Sequence, residues 1–355
     1  MKKFFIILIF IIFIPVTVYA YEVPELDGED GFNETVTQTV NGELNLNPVK
    51  ILNAAAEMLI KEIKSSAAEI VILLSAAAMS GIVNVLTGSF GNKSSGEAAF
   101  FACFTLMSAA ALRCFNAALL CGTAAIEAMS IFTDKLSPLL MIVLIACGKV
   151  TSANTFQPVL SASVYIISLI LKNCLVPLIT FGAVLSVAGN INDKMQISNF
   201  TRVVRSLSKW LMAAIITVFT GISAVYGFSA PALDAVSAKA VKFAVGSMVP
   251  VVGTFLSDTL ETVISGTRLM KNAVGVSGII TLCVMCAVPI MKIVIMQFML
   301  KAAAALAEPL TDSRISKMLW GVSESITSVF AVVVMTAVLF MINIGIIIAA
   351  TGGTV

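Results

Sequence analysis

Residues 241–275 read VKFAVGSMVPVVGTFLSDTLETVISGTRLMKNAVG. Apolar residues dominate, yet Lys242, Asp258, Glu261, Arg268 and Lys271 punctuate the stretch. A plain membrane span excludes such charges, and a soluble helix carries more of them. From 254 to 272, Asp258, Glu261, Ser265, Arg268 and Asn272 recur at intervals of three, four, three and four. That spacing marks one face of a helix. Leu256, Leu260, Val263 and Ile264 cover much of the opposite side, and upstream Lys239 and Lys242 share a face. Met248-Val249-Pro250 interrupts the pattern, because proline lacks a backbone donor. Residues 232–272 are therefore expected to form two amphipathic helices broken at Pro250. Two uses fit such a pair. It can lie at the membrane surface and cover a bundle, or it can turn Asp258, Glu261 and Arg268 towards a water-filled cavity or a protein partner.

The rest of the chain sets the class. Of 355 residues, 59% are hydrophobic and only 12% charged, and the mean hydropathy is +1.01. Ordinary soluble domains carry about 25% charged residues. The expected fold is all-α: a polytopic transmembrane helical bundle with an N-terminal signal peptide and re-entrant or amphipathic helical hairpins. A net charge of +2 implies no nucleic-acid partner. There is no histidine, which removes imidazole triads, metal sites and proton relays. The seven cysteines, Cys103, Cys114, Cys121, Cys147, Cys174, Cys283 and Cys286, all fall in apolar sequence and read as packing residues. No catalytic residue, cofactor or metal is expected.

Along the chain, MKKFFIILIFIIFIPVTVYA has a basic start, an unbroken apolar run and a small-residue end, the pattern of a signal peptide over 1–20. Residues 21–66 form an acidic leader that ends in an amphipathic helix at 51–64, suited to a membrane surface or a partner. Residues 67–350 form the membrane domain. Spans are expected at about 67–88, 98–120, 136–152, 210–230, 273–300 and 326–350, near the ~20 residues a bilayer requires. Ala77 and Gly81, four apart in the first, permit close helix approach. Arg113 and Lys172 lie deepest among the charges in apolar runs, and read as snorkelling or headgroup contacts.

Orientation follows from basic loops, which stay in the cytoplasm. The strongest is 190–209, with Lys194, Arg202, Arg205 and Lys209 against Asp193. Lys93 marks 89–97 as cytoplasmic too, so an even number of crossings must separate the two. Spans at 98–120 and 136–152 supply it, so 158–189 must contribute none or two. Lys172, Asn173 and Pro177 interrupt that run, and it is expected as a hairpin, re-entrant or crossing twice. Residues 231–272 then lie on the exported side, and 301–325 inside. The Val-Pro segments at 175–187 and 248–260 are alike in outline, the arrangement by which transporters mark a site at a repeat interface. That makes Pro177 and Pro250 candidate helix breaks at a substrate site.

The run from Lys242 through Gly275, in the form KFxxGxxVPVxGxxxSDxxxTVxSxxxxxKNxxG, with VPIMKI, LKAAAALAEPL and NCLVPLITFGAVLSVAGN, resembles the stage III sporulation protein AE family. The resemblance is strongest over about 160–350. It implies a multi-pass protein in the mother-cell membrane that surrounds the forespore of an endospore former. It also implies partners: the other proteins of the SpoIIIA operon and the forespore protein SpoIIQ, in a secretion-like channel complex that supports late forespore gene expression. The family supplies no catalytic residue. The alternative from the residues alone is a self-sufficient small-molecule membrane transporter.

Overall fold

A computed structural model describes residues 71, 75, 77–82, 93–191, 198–248, 253–309 and 311–349. Side-chain surroundings are described for 71, 75, 77–82, 97–98, 100–159, 161–191, 199–225, 273–309 and 311–349. The expected signal peptide, the acidic leader and most of the span at 67–88 lie outside these residues. So do Lys194 and Pro250. Within 77–82 the chain is helical, and Ala77 and Gly81 are both buried.

The described chain is helical throughout. Its elements are α1 (Lys93–Ala146), α2 (Val150–Ile170), a π-helical turn (Leu171–Leu175), α3 (Val176–Ala188), α4 (Ser198–Met248), α5 (Gly253–Ala307) and α6 (Ser313–Ala349). Among the described residues, five helical segments are long and apolar enough to cross a membrane: 100–146, 150–188, 199–225, 273–307 and 313–349. Large apolar side chains face outwards, Trp210 at 69% and Phe298 at 70% exposure. Water penalises such a surface and lipid accepts it.

Two expectations fail between 93 and 189. Residues 98–120 and 136–152 are not separate spans, because α1 runs unbroken from the first past Pro138 to Ala146, and the last residues of the second hold the turn into α2. Its reversal comes at Gly148, whose φ of 76° only glycine adopts freely. The Gly148 N–H donates to Ile145 O at 2.8 Å and the Lys149 N–H to Leu144 O at 3.1 Å. This pair of bonds satisfies the last carbonyls of α1 and turns the chain back.

Nor do residues 158–189 reverse. Pro177 lacks an N–H and its ring crowds the carbonyl four residues earlier, so an α-helix cannot pass it undisturbed. The backbone widens into one π turn instead, with the Val176 N–H donating to Leu171 O. Helix resumes at once, and Leu171 and Leu175 stay buried. The interruption bends a hydrogen-bond ladder without ending the pass. The even number of crossings still holds, with α1 as one and 150–188 as the other.

The expected pair at 232–272 is also redrawn. Its first half continues α4 and its second half opens α5, so neither is a separate interfacial helix. The break expected at Met248-Val249-Pro250 falls at 249–252, outside the described residues.

The core is built on α5, α6 and α1, which pack together most extensively. Leu282, Ile293, Leu300 and Ala304 of α5 meet Met318, Val322, Ile326 and Phe340 of α6 and Met107, Ala118, Met129 and Leu140 of α1. Close approach needs missing side chains. A Cβ at Gly122 would stand 2.7 Å from Val329 Cγ1, and one at Gly278 2.5 Å from Leu136 Cδ2. Helices α3 and α4 flank this core against α6, and α2 lies between α1 and α4.

Long-range contacts define two ends. Phe100 meets Arg314, Ser316 donates to Ala304 O at 3.1 Å, and Arg205 reaches Ser186 and Gly321. The starts of α1, α4 and α6 and the ends of α3 and α5 thus share one end. It gathers Arg202, Arg205, Lys209, Lys301, Arg314 and Lys317. The Gly148 turn marks the other.

Candidate functional site

At the basic end, the expected loop 190–209 is largely helix, because α4 begins at Ser198. Arg202 and Lys209 are exposed on it. Arg205 instead turns into the bundle. Its Nη2 donates to Ser186 Oγ of α3 at 2.8 Å and to Gly321 O of α6 at 2.6 Å, and its Nη1 pairs with Glu324. Gly321 makes room, since a Cβ there would lie 2.8 Å from Ser186 Cβ. Arg205 therefore joins three helices. Beside it, Asp312 caps α6 by accepting from the Arg314 N–H at 3.0 Å. Two bonds from the Arg314 guanidinium hold the Asp312 carboxyl below the usual carboxylate range.

The expected face Asp258, Glu261, Ser265, Arg268 and Asn272 lies on the first part of α5, and Lys239 and Lys242 on the last part of α4. Their side-chain surroundings are outside those described. Pro177 sits just inside α3, beyond the π turn.

A second polar arrangement lies deeper, between α1 and α2. Glu127, Ser130, Asp134 and Ser137 recur along α1 at intervals of three, four and three, one face of the helix. Lys172 Nζ lies 3.4 Å from Glu127 Oε1, and Ser130 Oγ lies 3.0 Å from Ser168 Oγ. Lys172 is thus neutralised across the seam rather than merely snorkelling, as intramembrane charges commonly are. Further along, Thr133, Asp134 and Ser137 of α1, Ser161 of α2 and Asn343 of α6 line one pocket. Asn343 is 1% exposed, and neither atom of its amide meets a protein partner. The Ser137 hydroxyl is also buried without one.

This seam is not apparent in the sequence, where 121–135 reads as the connection between two spans. The signal was present in Glu127, Ser130, Asp134 and Ser137. It becomes meaningful only once that segment is known to be helix.

Among the described residues no three His, Cys, Asp or Glu side chains gather to hold a metal. Many seryl and threonyl hydroxyls there donate to their own helix four residues back, as Thr133 does to Met129 O at 2.8 Å. Cys174 and Cys283 lie on the outside of the bundle, while Cys114, Cys121, Cys147 and Cys286 are buried.

The family model described as stage III sporulation protein AE matches residues 31–351. The chain belongs to the stage III sporulation protein AE family. The stage III sporulation protein AE of Bacillus subtilis (strain 168) is 28% identical over 316 residues, covering 89% of this chain and 79% of that protein. No solved structure matches. Membership of the stage III sporulation protein AE family makes this a sporulation protein. The five apolar helical segments among the described residues make it a membrane protein. Both the Arg205 clamp and the α1–α2 seam fall within the matched residues.

Proposed function

We propose that this chain is a membrane subunit of the SpoIIIA–SpoIIQ type channel complex, in the mother-cell membrane around the forespore, where it supports late forespore gene expression. On this reading it is a structural and conducting component, not an enzyme, and its partners are the other SpoIIIA-operon proteins and SpoIIQ.

The observation that carries the proposal is the length and placement of α4 and α5. Their 51 and 55 residues extend to about 77 and 83 Å at 1.5 Å per residue, far beyond the ~30 Å hydrocarbon thickness. The basic end of the bundle belongs in the cytoplasm by the distribution of Lys and Arg. The surplus length, with Lys239, Lys242, Asp258, Glu261 and Arg268, then emerges on the opposite side, in the space between the two membranes. A paired, charged helical extension there suits contact with other subunits better than solitary transport.

The test is charge reversal at Asp258, Glu261 and Arg268, singly, in the native spore former. Each is expected to let engulfment finish and protein accumulate, while a late forespore reporter stays off. Normal sporulation from all three variants refutes the role assigned to that face.

The second reading, a self-sufficient transporter, needs a solute site, and the bundle holds a pocket between α1, α2 and α6. That pocket has about 10 Å³ open to a water centre, too little for an organic solute. The second reading expects solute uptake by liposomes that contain this chain alone, and the first expects none.

A further inference from the structure

We propose that the face of α1 and the π turn that carries Glu127 and Lys172 is a contact surface for a second copy of this chain, in which Lys172 also pairs with the partner subunit's Glu127. This goes beyond the channel-subunit role and does not depend on it.

The first observation is depth. Gly122 of α1 abuts Val329 and Val333 of α6, while Ser137 and Leu140 share a pocket with Asn343 and Ile347. Glu127 thus stands level with the middle of the α6 run 326–349, which holds no charge. Lys172 Nζ lies 3.4 Å from Glu127 Oε1. It is also about 20 Å along its pass from Ser186 at the basic end, at 1.5 Å per residue. The second observation is exposure. The Glu127 side chain is 57% exposed and that of Lys172 50%. Ionisable groups at membrane depth face a bundle interior or a water-filled cavity. This pair faces out of its own bundle, where lipid tails offer neither charge nor hydrogen bond. The assembly that encloses it is therefore larger than one chain.

The third observation is the surroundings. Leu120, Ala124, Glu127 and Ile131 recur at intervals of four, three and four along α1, and Leu169 precedes Lys172 by three. Leu120, Ile131 and Leu169 are exposed, and Ala124 and Ala128 are half-buried. The wall of a water-filled path is polar along its length. This face is apolar around a polar centre, the make-up of a contact between membrane helices. Ala124 and Ala128, four apart, let another helix come close.

Charge and depth together select the occupant. With one acid and one base, the face is neutral and complementary to itself. Two copies inserted in the same orientation are related by a two-fold axis along the membrane normal, which keeps every group at its own depth. Glu127 and Lys172 already share a depth, because they pair within one chain. The rotation therefore brings the partner subunit's Lys172 level with Glu127, and four charges alternate in sign around the axis.

The experiment co-expresses two differently tagged full-length chains, solubilises the membranes in mild detergent and captures one tag. Wild-type chains are expected to copurify. Glu127→Lys and Lys172→Glu, each expressed under both tags, should lose self-association at least about 10-fold, because like charges then meet across the contact. Glu127→Lys under one tag and Lys172→Glu under the other should copurify again, since each contact between the chains then joins opposite charges. That recovery separates lost pairing from misfolding. Independently, single cysteines replacing Leu120, Ala124, Ile131 or Leu169 in a cysteine-free background are oxidised in native membranes. At least one is expected to give a disulfide-linked dimer, and Phe298→Cys, exposed elsewhere on the bundle, none. Failure of wild-type chains to copurify overturns the proposal, as it would if the face met a different protein or water. Self-association that persists in both charge variants overturns it, and so does the absence of recovery in the mixed pair. Absence of any cross-link on the face, or equal cross-linking at Phe298→Cys, overturns it as well.

Discussion

Arg205→Met removes a guanidinium while keeping most of the side-chain stem, and the structure sets the expected cost. Two donated bonds disappear, to Ser186 Oγ and Gly321 O, together with the pair to Glu324. A hydrogen bond from a charged donor contributes about 1.5–3 kcal/mol. Neither abandoned acceptor is left bare. Ser186 Oγ still donates to Gly182 O at 2.7 Å, and Ser325 Oγ reaches Gly321 O at 3.3 Å. The Glu324 side chain is 55% exposed, so its pairing belongs near the surface range of about 0–1 kcal/mol. The net loss for Arg205→Met is therefore about 3–6 kcal/mol, most of it from the two bonds to Ser186 and Gly321. Glu324→Gln should cost less than about 1 kcal/mol. Arg202→Met and Lys209→Met, exposed on the same helix, should stay within about 0.5 kcal/mol of wild type. The assay is unfolding of the detergent-solubilised protein by increasing SDS, followed by circular dichroism. A cost for Arg205→Met no larger than those of its two neighbours refutes the clamp. So does a cost for Glu324→Gln equal to that of Arg205→Met, because it would place the energy in the ion pair.

Other outcomes follow from single features of the bundle. Gly122→Ala drives a methyl to 2.7 Å from Val329 Cγ1 and should cost about 1–3 kcal/mol in the same SDS assay. An unchanged midpoint would mean that α1 and α6 are not in the contact described. Asp312→Ala should cost about 1 kcal/mol at neutral pH through loss of the helix cap. Because folding lowers the Asp312 carboxyl from its ordinary value, its contribution is complete above the ordinary carboxylate range. It fades as pH falls through the lower folded value, so wild type and variant should converge in strong acid. Melting curves across that range check the sign. For topology, Val150→Cys and Arg202→Cys in a cysteine-free background should label from opposite sides of the membrane with an impermeant maleimide. Labelling of both from the cytoplasm would restore the hairpin at 158–189.

Much was legible in the sequence because it depends on local chemistry. Apolar composition and the scarcity of charge required a membrane solvent. Basic residues clustered near 202–209 and 301–317 marked one side, and the bundle does bring those segments to one end. Family membership was legible in the motif from Lys242 to Gly275.

Crossings over 93–189 were decided by tertiary packing. Proline is an ambiguous signal in an apolar helix. At 138 the helix ran on while it packed on α5 and α6, and at 177 one π turn absorbed the defect. The reversal came at Gly148, where the positive φ and two capping bonds end α1. No local rule ranks that glycine above two prolines. The polar sites were hidden for a related reason. Arg205 looked like a topology signal until α3 and α6 placed acceptors around it. Asn343 stands out only where α1 brings Asp134 and Ser137 to line the same pocket. Composition determined that this chain resides in a membrane, and charge marked which segments gather at one end of the bundle. Contacts between residues far apart in sequence decided which polar groups have partners and which do not.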